Sequence, residues 1–184
     1  EYALRGGAAF NSIAQQKKPD NVSDQDFATN IEEEKKAAQN SYEYLESSAF
    51  NLIAEQADAK KRMAEIERYT PAFPSSRFED QVASYAMLSL GELKDMARLV
   101  SYGERALASN PNSMPTLLLL ANAYVEDTKP GSLAKAITYS QKTIEVAKAD
   151  APDADRGRKV SAGVAHYTIG YANLKQDKAA AAVP

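Results

Sequence analysis

A chain of 184 residues, 44% of them hydrophobic and 26% charged, is long enough and apolar enough to bury a core, which excludes a disordered segment. Its net charge of −3, from 22 Lys and Arg against 25 Asp and Glu, offers no basic stripe to a nucleic-acid backbone. With no cysteine, disulfides, thiol nucleophiles, Cys-zinc sites and iron–sulfur clusters are excluded, and no apolar run approaches the ~20 residues of a membrane-spanning helix.

Prolines and glycines fall at intervals, between segments rich in Ala, Leu, Glu, Lys and Gln. Gly6-Gly7-Ala8-Ala9-Phe10 reads as the remnant of a first helix, ended by Lys18-Pro19-Asp20-Asn21. Ser23, with Asp26 three residues on, is a capping pair that opens the next helix. Residues 24–56 contain no Gly or Pro, so they form one long helix or two with a break near Gln39-Asn40-Ser41. The run Glu32-Glu33-Glu34-Lys35-Lys36 is an exposed face of it. After the break at Thr70 to Ser76, antiparallel pairs are predicted over 80–93/96–108, 115–127/133–148 and 160–175/177 onward. The breaks between them are Asn110-Pro111, Lys129-Pro130-Gly131 and Ala151-Pro152. Ser113 precedes Met114-Pro115, where a first-turn proline loses no helical bond. No run alternates with the period of a strand, so the fold is expected to be all-α.

Leu117, Leu120, Ala121 and Tyr124 stand at i, i+3, i+4 and i+7, one face of a helix, and Ala136 and Ser140 continue with small residues on the next. His166, Ile169, Gly170 and Asn173 repeat the pattern, with Ala181 in the alanine place of a following helix; Ala83, Ala86, Met87 and Leu90 form a blurred copy and Leu45, Ser48, Ala49 and Leu52 a fainter one. This text, above all Leu120-Ala121-Asn122-Ala123-Tyr124, resembles the tetratricopeptide (TPR) signature. The presumed crossing residues Ala49, Ala86, Ala121 and Gly170 are separated by 37, 35 and 49 residues. The first two separations lie near the ~34-residue period of that family. The third requires insertions, placed at Asp127–Ser132 and Lys148–Lys159. The family's tryptophan is absent throughout.

The resemblance implies a right-handed α-α superhelix of antiparallel hairpins. Residues 1–41 would be an N-terminal helical segment, followed by repeats over 42–79, 80–113, 114–159 and an incomplete 160–184. It also implies that first helices line a concave, partner-binding side, placing Leu118, Asn122, Val125 and Glu126 there from one repeat and Tyr167, Tyr171 and Lys175 from the next. A tyrosine there gains contact area at small entropic cost. Leu118 and Leu119 stand where a carboxylate clamp for chaperone tails needs polar residues, so that partner is not expected.

Chemistry is sparse. His166 occupies a large-apolar slot of the repeat and is expected to pack, and no second His exists to share a metal. Asp150, Asp153 and Asp155 lack the glycine and glutamate placement of a calcium loop. No nucleophile elbow, phosphate loop or dinucleotide fingerprint is present, and Asn21-Val22-Ser23 is a bare glycosylation sequon. The expected protein is a non-enzymatic interaction scaffold without metal or cofactor, whose partner is another protein or peptide. The alternative is a regulatory or accessory domain of a larger enzyme or transcription regulator. Phe73-Pro74-Ser75-Ser76 after Tyr69 resembles inter-repeat turns of TPR-like proteins of bacterial envelope assembly, which implies an exported protein and leaves the cytoplasm as the other compartment. Because the chain opens without Met and stops early in an expected second helix, a longer natural chain is expected, with self-association or fraying at the C-terminal helices.

Overall fold

Side-chain caps set where several helices begin. In the computed structural model, which describes residues 1–176, the helices are α1 (Tyr2–Ile13), α2 (Asp24–Glu55), α3 (Ala59–Ala72), α4 (Glu79–Glu92), α5 (Met96–Ser109), α6 (Met114–Glu126), α7 (Ser132–Ala147) and α8 (Arg156–Lys175). Ser23, Asp58, Asp95 and Asp155 each accept from a backbone N–H three residues on, satisfying one of the unpaired first-turn donors. The fold is all-α, with no strand among the described residues, and within each of its two compact units consecutive helices pack on one another. Residues 24–55 form one unbroken helix, without a break near Asn40. The expected second helix beyond 177, with Ala181 and the predicted association or fraying there, lies outside the described residues.

The chain divides into two compact units, Glu1–Phe78 and Glu79 onward. In the first, α1 packs against both α2 and α3. A Cβ on Gly7 would come 2.7 Å from the Ala72 carbonyl oxygen, and one on Gly6 would run into Leu45, so the glycine pair is what lets α1 approach. Rings fill the space beside it: Phe10 stacks on Tyr42 at 4.2 Å, and Phe73 lies 5.3 Å from Tyr42 and 4.8 Å from Tyr69. On α2 the buried residues are Glu46, Ala49 and Ile53, whereas Leu52, expected in an apolar slot, is exposed.

The buried Glu46 carboxylate explains the turn at Phe73–Phe78. It accepts the Arg77 backbone N–H at 3.0 Å and pairs with Arg77 Nε at 3.1 Å, while Arg77 also donates to the Glu43 carbonyl at 3.0 Å. The Tyr69 hydroxyl meets Ser76 Oγ at 2.6 Å, and Phe78 stacks on Phe50 at 4.2 Å. Ionic, hydrogen-bonded and stacked contacts thus fold this turn onto α2.

In the second unit α4 packs on α5 and α6, α6 on α5, α7 and α8, and α7 on α8; the α5 and α7 backbones stay apart and the two helices meet through the side chains of Glu104 and Lys135. The apolar faces expected on α4 (Ala83, Ala86, Met87, Leu90) and α6 (Leu117, Leu120, Ala121, Tyr124) are all buried. On α5 the close contact is Gly103, where a Cβ would lie 2.7 Å from Met87 Cε and 2.8 Å from Leu120 Cγ. The Asn110 amide holds the end of α5 to Asp80 at 2.7 Å. Asn110, at the end of α5, thereby returns the chain to the start of α4. Helix α8 departs from the expected register. Its buried residues include Ala162, Ala165, Thr168 and Ala172, while Gly170 is half-buried and His166 is exposed. His166 therefore does not pack in an apolar slot: the interface of α8 is built from small side chains whose spacing begins one residue earlier.

Two predictions follow from these packings. Replacing glycine by alanine inside a helix gains up to about 1 kcal/mol in propensity, but overpacking a core costs about 1–3 kcal/mol. Gly163 on α8 has nothing within 4 Å of an added Cβ. Gly163→Ala should stabilise the protein by about 0.5–1 kcal/mol in urea unfolding, and Gly103→Ala should destabilise it despite the same chemical change.

Burial pushes the Tyr69 phenol up to about 12. Between the ordinary value near 10 and that value, the folded state keeps a proton that the unfolded chain releases. Its contribution is therefore complete below pH ~10 and is lost as pH rises through that window. Tyr69→Phe should cost about 1 kcal/mol at neutral pH, through the lost Ser76 hydrogen bond, and should lessen the fall of the urea midpoint between pH ~10 and ~12.

Candidate functional site

The direct contact of α6 with α8 brings expected site residues from separate repeats together. Thr168 Oγ1 donates to Asn122 Oδ1 at 3.3 Å. Lys175 Nζ donates to the Val125 carbonyl at 2.8 Å and to Glu126 Oε2 at 3.0 Å. The same ammonium lies 4.6 Å from the Tyr171 ring centroid, and Tyr171 stacks with Tyr167 at 6.2 Å and 16°. Glu126, Tyr167, Tyr171 and Lys175 thus form one linked group, with Tyr167 its most projecting ring at 72% exposure, while Asn122 meets α8 separately at Thr168. Leu118 is half-buried and the Val125 side chain is buried, so Val125 brings a carbonyl to the group and no side-chain surface. The hydrogen bond to Glu126 holds the Lys175 ammonium above its ordinary range, against a smaller opposing effect of desolvation.

A second polar group lies between α5, α6 and α7. The Tyr124 hydroxyl donates to Glu104 Oε1 at 2.7 Å and accepts from Lys135 Nζ at 3.0 Å; Lys135 also lies 3.4 Å from Glu104. Tyr124 stacks with Tyr139 at 5.8 Å. Beside them opens a cleft of ≈ 440 Å³ whose lining includes Met96, Val100, Ala123 and Asp127. Burial raises the Tyr124 phenol, and the hydrogen bond to Tyr124 raises Lys135, so neither is poised to act as a base near neutrality. Ser132 donates to Asp127 at 2.7 Å and holds its carboxyl below the usual range.

A third candidate place is a cleft of ≈ 390 Å³ where α7 meets α8, lined by Ile144, Lys148, Asp150, Lys159, Gly163 and His166 among others. Lys148 ends α7 in the left-handed region at φ 44°. The aspartates near it have structural partners: Asp155 caps α8, and Asp153 lies 3.5 Å from Arg158. Among the described residues no three His, Asp or Glu side chains are grouped to hold a metal ion.

Spacing along the sequence missed the second group because Glu104, Tyr124 and Lys135 come from three helices; only the aromatic place of Tyr124 pointed to it. The third was missed because His166 was assigned to packing. No protein-family model, no curated protein and no solved structure matches the chain. No helix among the described residues is long and apolar enough to cross a membrane.

Tyr124→Phe removes the hydroxyl that holds both Glu104 and Lys135. The variant should lose about 1 kcal/mol of stability. The Lys135 pKa should fall toward its ordinary value in an NMR titration of its side chain; an unchanged Lys135 would show that Glu104 alone holds it.

Proposed function

We propose that this protein is a non-catalytic interaction scaffold of TPR-like helical hairpins, and that it binds another protein or peptide through the side formed by its first helices. In this reading α4, α6 and α8 are first helices and α5 and α7 are second helices of successive hairpins in a right-handed superhelix. The pattern of contacts supports it: α4 touches α6 and α6 touches α8, each hairpin packs on the next, and the α5 and α7 backbones stay apart, meeting only through side chains. Bacterial envelope assembly is the setting implied by the turn after Tyr69.

The observation that carries the proposal is the linked group Glu126, Tyr171 and Lys175 with its projecting Tyr167, beside the Asn122–Thr168 contact of the same two helices. A surface made of rings and charges already held by one another loses little freedom when a partner covers it. The Tyr124 phenol and the Lys135 ammonium are both raised away from general-base work near neutrality, which favours recognition over turnover.

A photo-crosslinking residue placed at Asn122 or at Tyr171 tests this in cells producing the protein from its own locus. Both positions should give adducts with the same partner, and the exposed Glu145 on α7 should not. Equal adducts from all three positions, or none from any, would remove the proposal.

A further inference from the structure

Helix α8 is inverted: small residues pack inward and large apolar ones face out. Val160, Val164, Tyr167 and Leu174 are 55%, 37%, 72% and 57% exposed, and Tyr171 is half-buried. These five positions follow one another at spacings of four, three, four and three residues, a period of 3.5. That period keeps a narrow line of side chains along one side of a helix, the pattern by which two helices pack as a coiled coil. Gly163 beside the line has open space where a Cβ would stand, leaving a hole for an incoming side chain.

Charge selects the partner. Helix α8 contains no acidic residue and carries Arg156, Arg158, Lys159, His166 and Lys175. Lys175 is committed to Glu126 and Arg158 to Asp153 and the Ala147 carbonyl. Among the described residues the side chains of Lys148, Lys159 and His166 make no ion pair, and all three line the ≈ 390 Å³ cleft along one edge of the seam, with Asp150 the carboxylate among its lining. A second copy of α8 would bring the same cations; antiparallel packing centred on Tyr167 sets Lys159 against Lys175. The apolar line is also narrower than the wide face by which a helix lies in a membrane surface.

We propose that α8 is a docking seam for an amphipathic helix of a partner protein, its apolar residues at coiled-coil spacing and one flank acidic. This rests on the scaffold reading above and names the partner's class, since Tyr167 and Tyr171 belong to both.

The test uses the whole chain and a synthetic peptide of three heptads, with Leu on the seam and Glu beside it, followed by fluorescence anisotropy. A twin with Lys in place of Glu, and anionic vesicles of phosphatidylglycerol and phosphatidylcholine, are compared. The Glu peptide should bind at least about tenfold more tightly than the Lys twin. Tyr167→Asp, at an exposed position, should weaken it at least about tenfold with an unchanged thermal midpoint. Lys159→Glu should narrow or reverse the preference between peptides. Equal binding of both peptides, binding of vesicles alone, or a dimer that Tyr167→Asp dissociates would each overturn the proposal. A partner cross-linked at Asn122 that excess Glu peptide does not displace would remove the helix reading and leave the scaffold standing. Loss of all cross-linked partners while the peptide still binds would do the reverse.

Discussion

The missing side chain at residue 103 sets how near α5 comes to its neighbours. With Met87 and Leu120 both within 3 Å of where a Cβ would stand, α5 presses on α4 and α6 at once. Similar economy recurs inside the unit: Ala86, Ala121, Ala136, Ser140 and Ala165 are fully enclosed. Dispersion falls off steeply with separation, so interfaces built from small residues hold only if the backbones close up. That closeness keeps α6 within hydrogen-bonding reach of α8, as Asn122 with Thr168 and the Val125 carbonyl with Lys175 show. Polar side chains carried by α6 and α8 are thus positioned by the core beneath them.

Helix α8 shows what tight packing leaves over. Its inward side is Ala162, Ala165, Thr168, Ala172 and Asn173, a surface made mostly of small residues. The larger apolar residues have no place there and remain outside at Val160, Tyr167 and Leu174. A surface alternating rings and aliphatic residues, beside lysines that make no ion pair among the described residues, is costly to keep in water unless something covers it.

The boundaries of α4 to α8 were legible because proline, asparagine and glycine break an otherwise helix-forming sequence. Each expected start and end agrees with the structure within a few residues, and the capping role of Ser23 followed from Asp26 three places on. Register was less legible. On α6 large apolar residues mark the inward face, so Leu117, Leu120 and Tyr124 were placed correctly. On α8 the inward face is marked by alanines, which size alone does not distinguish from a neutral surface, and His166 was assigned to the wrong side. Of the residues expected at the site, Glu126, Tyr167, Tyr171 and Lys175 are in contact with one another, and Asn122 meets Thr168 on the same helix pair. Val125 does not present its side chain, because the helix turns it inward by one position. The Tyr124, Glu104 and Lys135 group arises from contacts between helices, for which local spacing gives no signal.

The carboxylate of Glu46 has a consequence for how the first unit assembles. A charge enclosed without a partner is costly, and the partner here, Arg77, lies 31 residues further along the chain. The later half of α2 therefore gains nothing by closing early: until α3 has formed and the chain has doubled back, Glu46 is better left in water. Desolvation of one side chain thus ties the burial of α2 to the return of the chain at Arg77, 31 residues on.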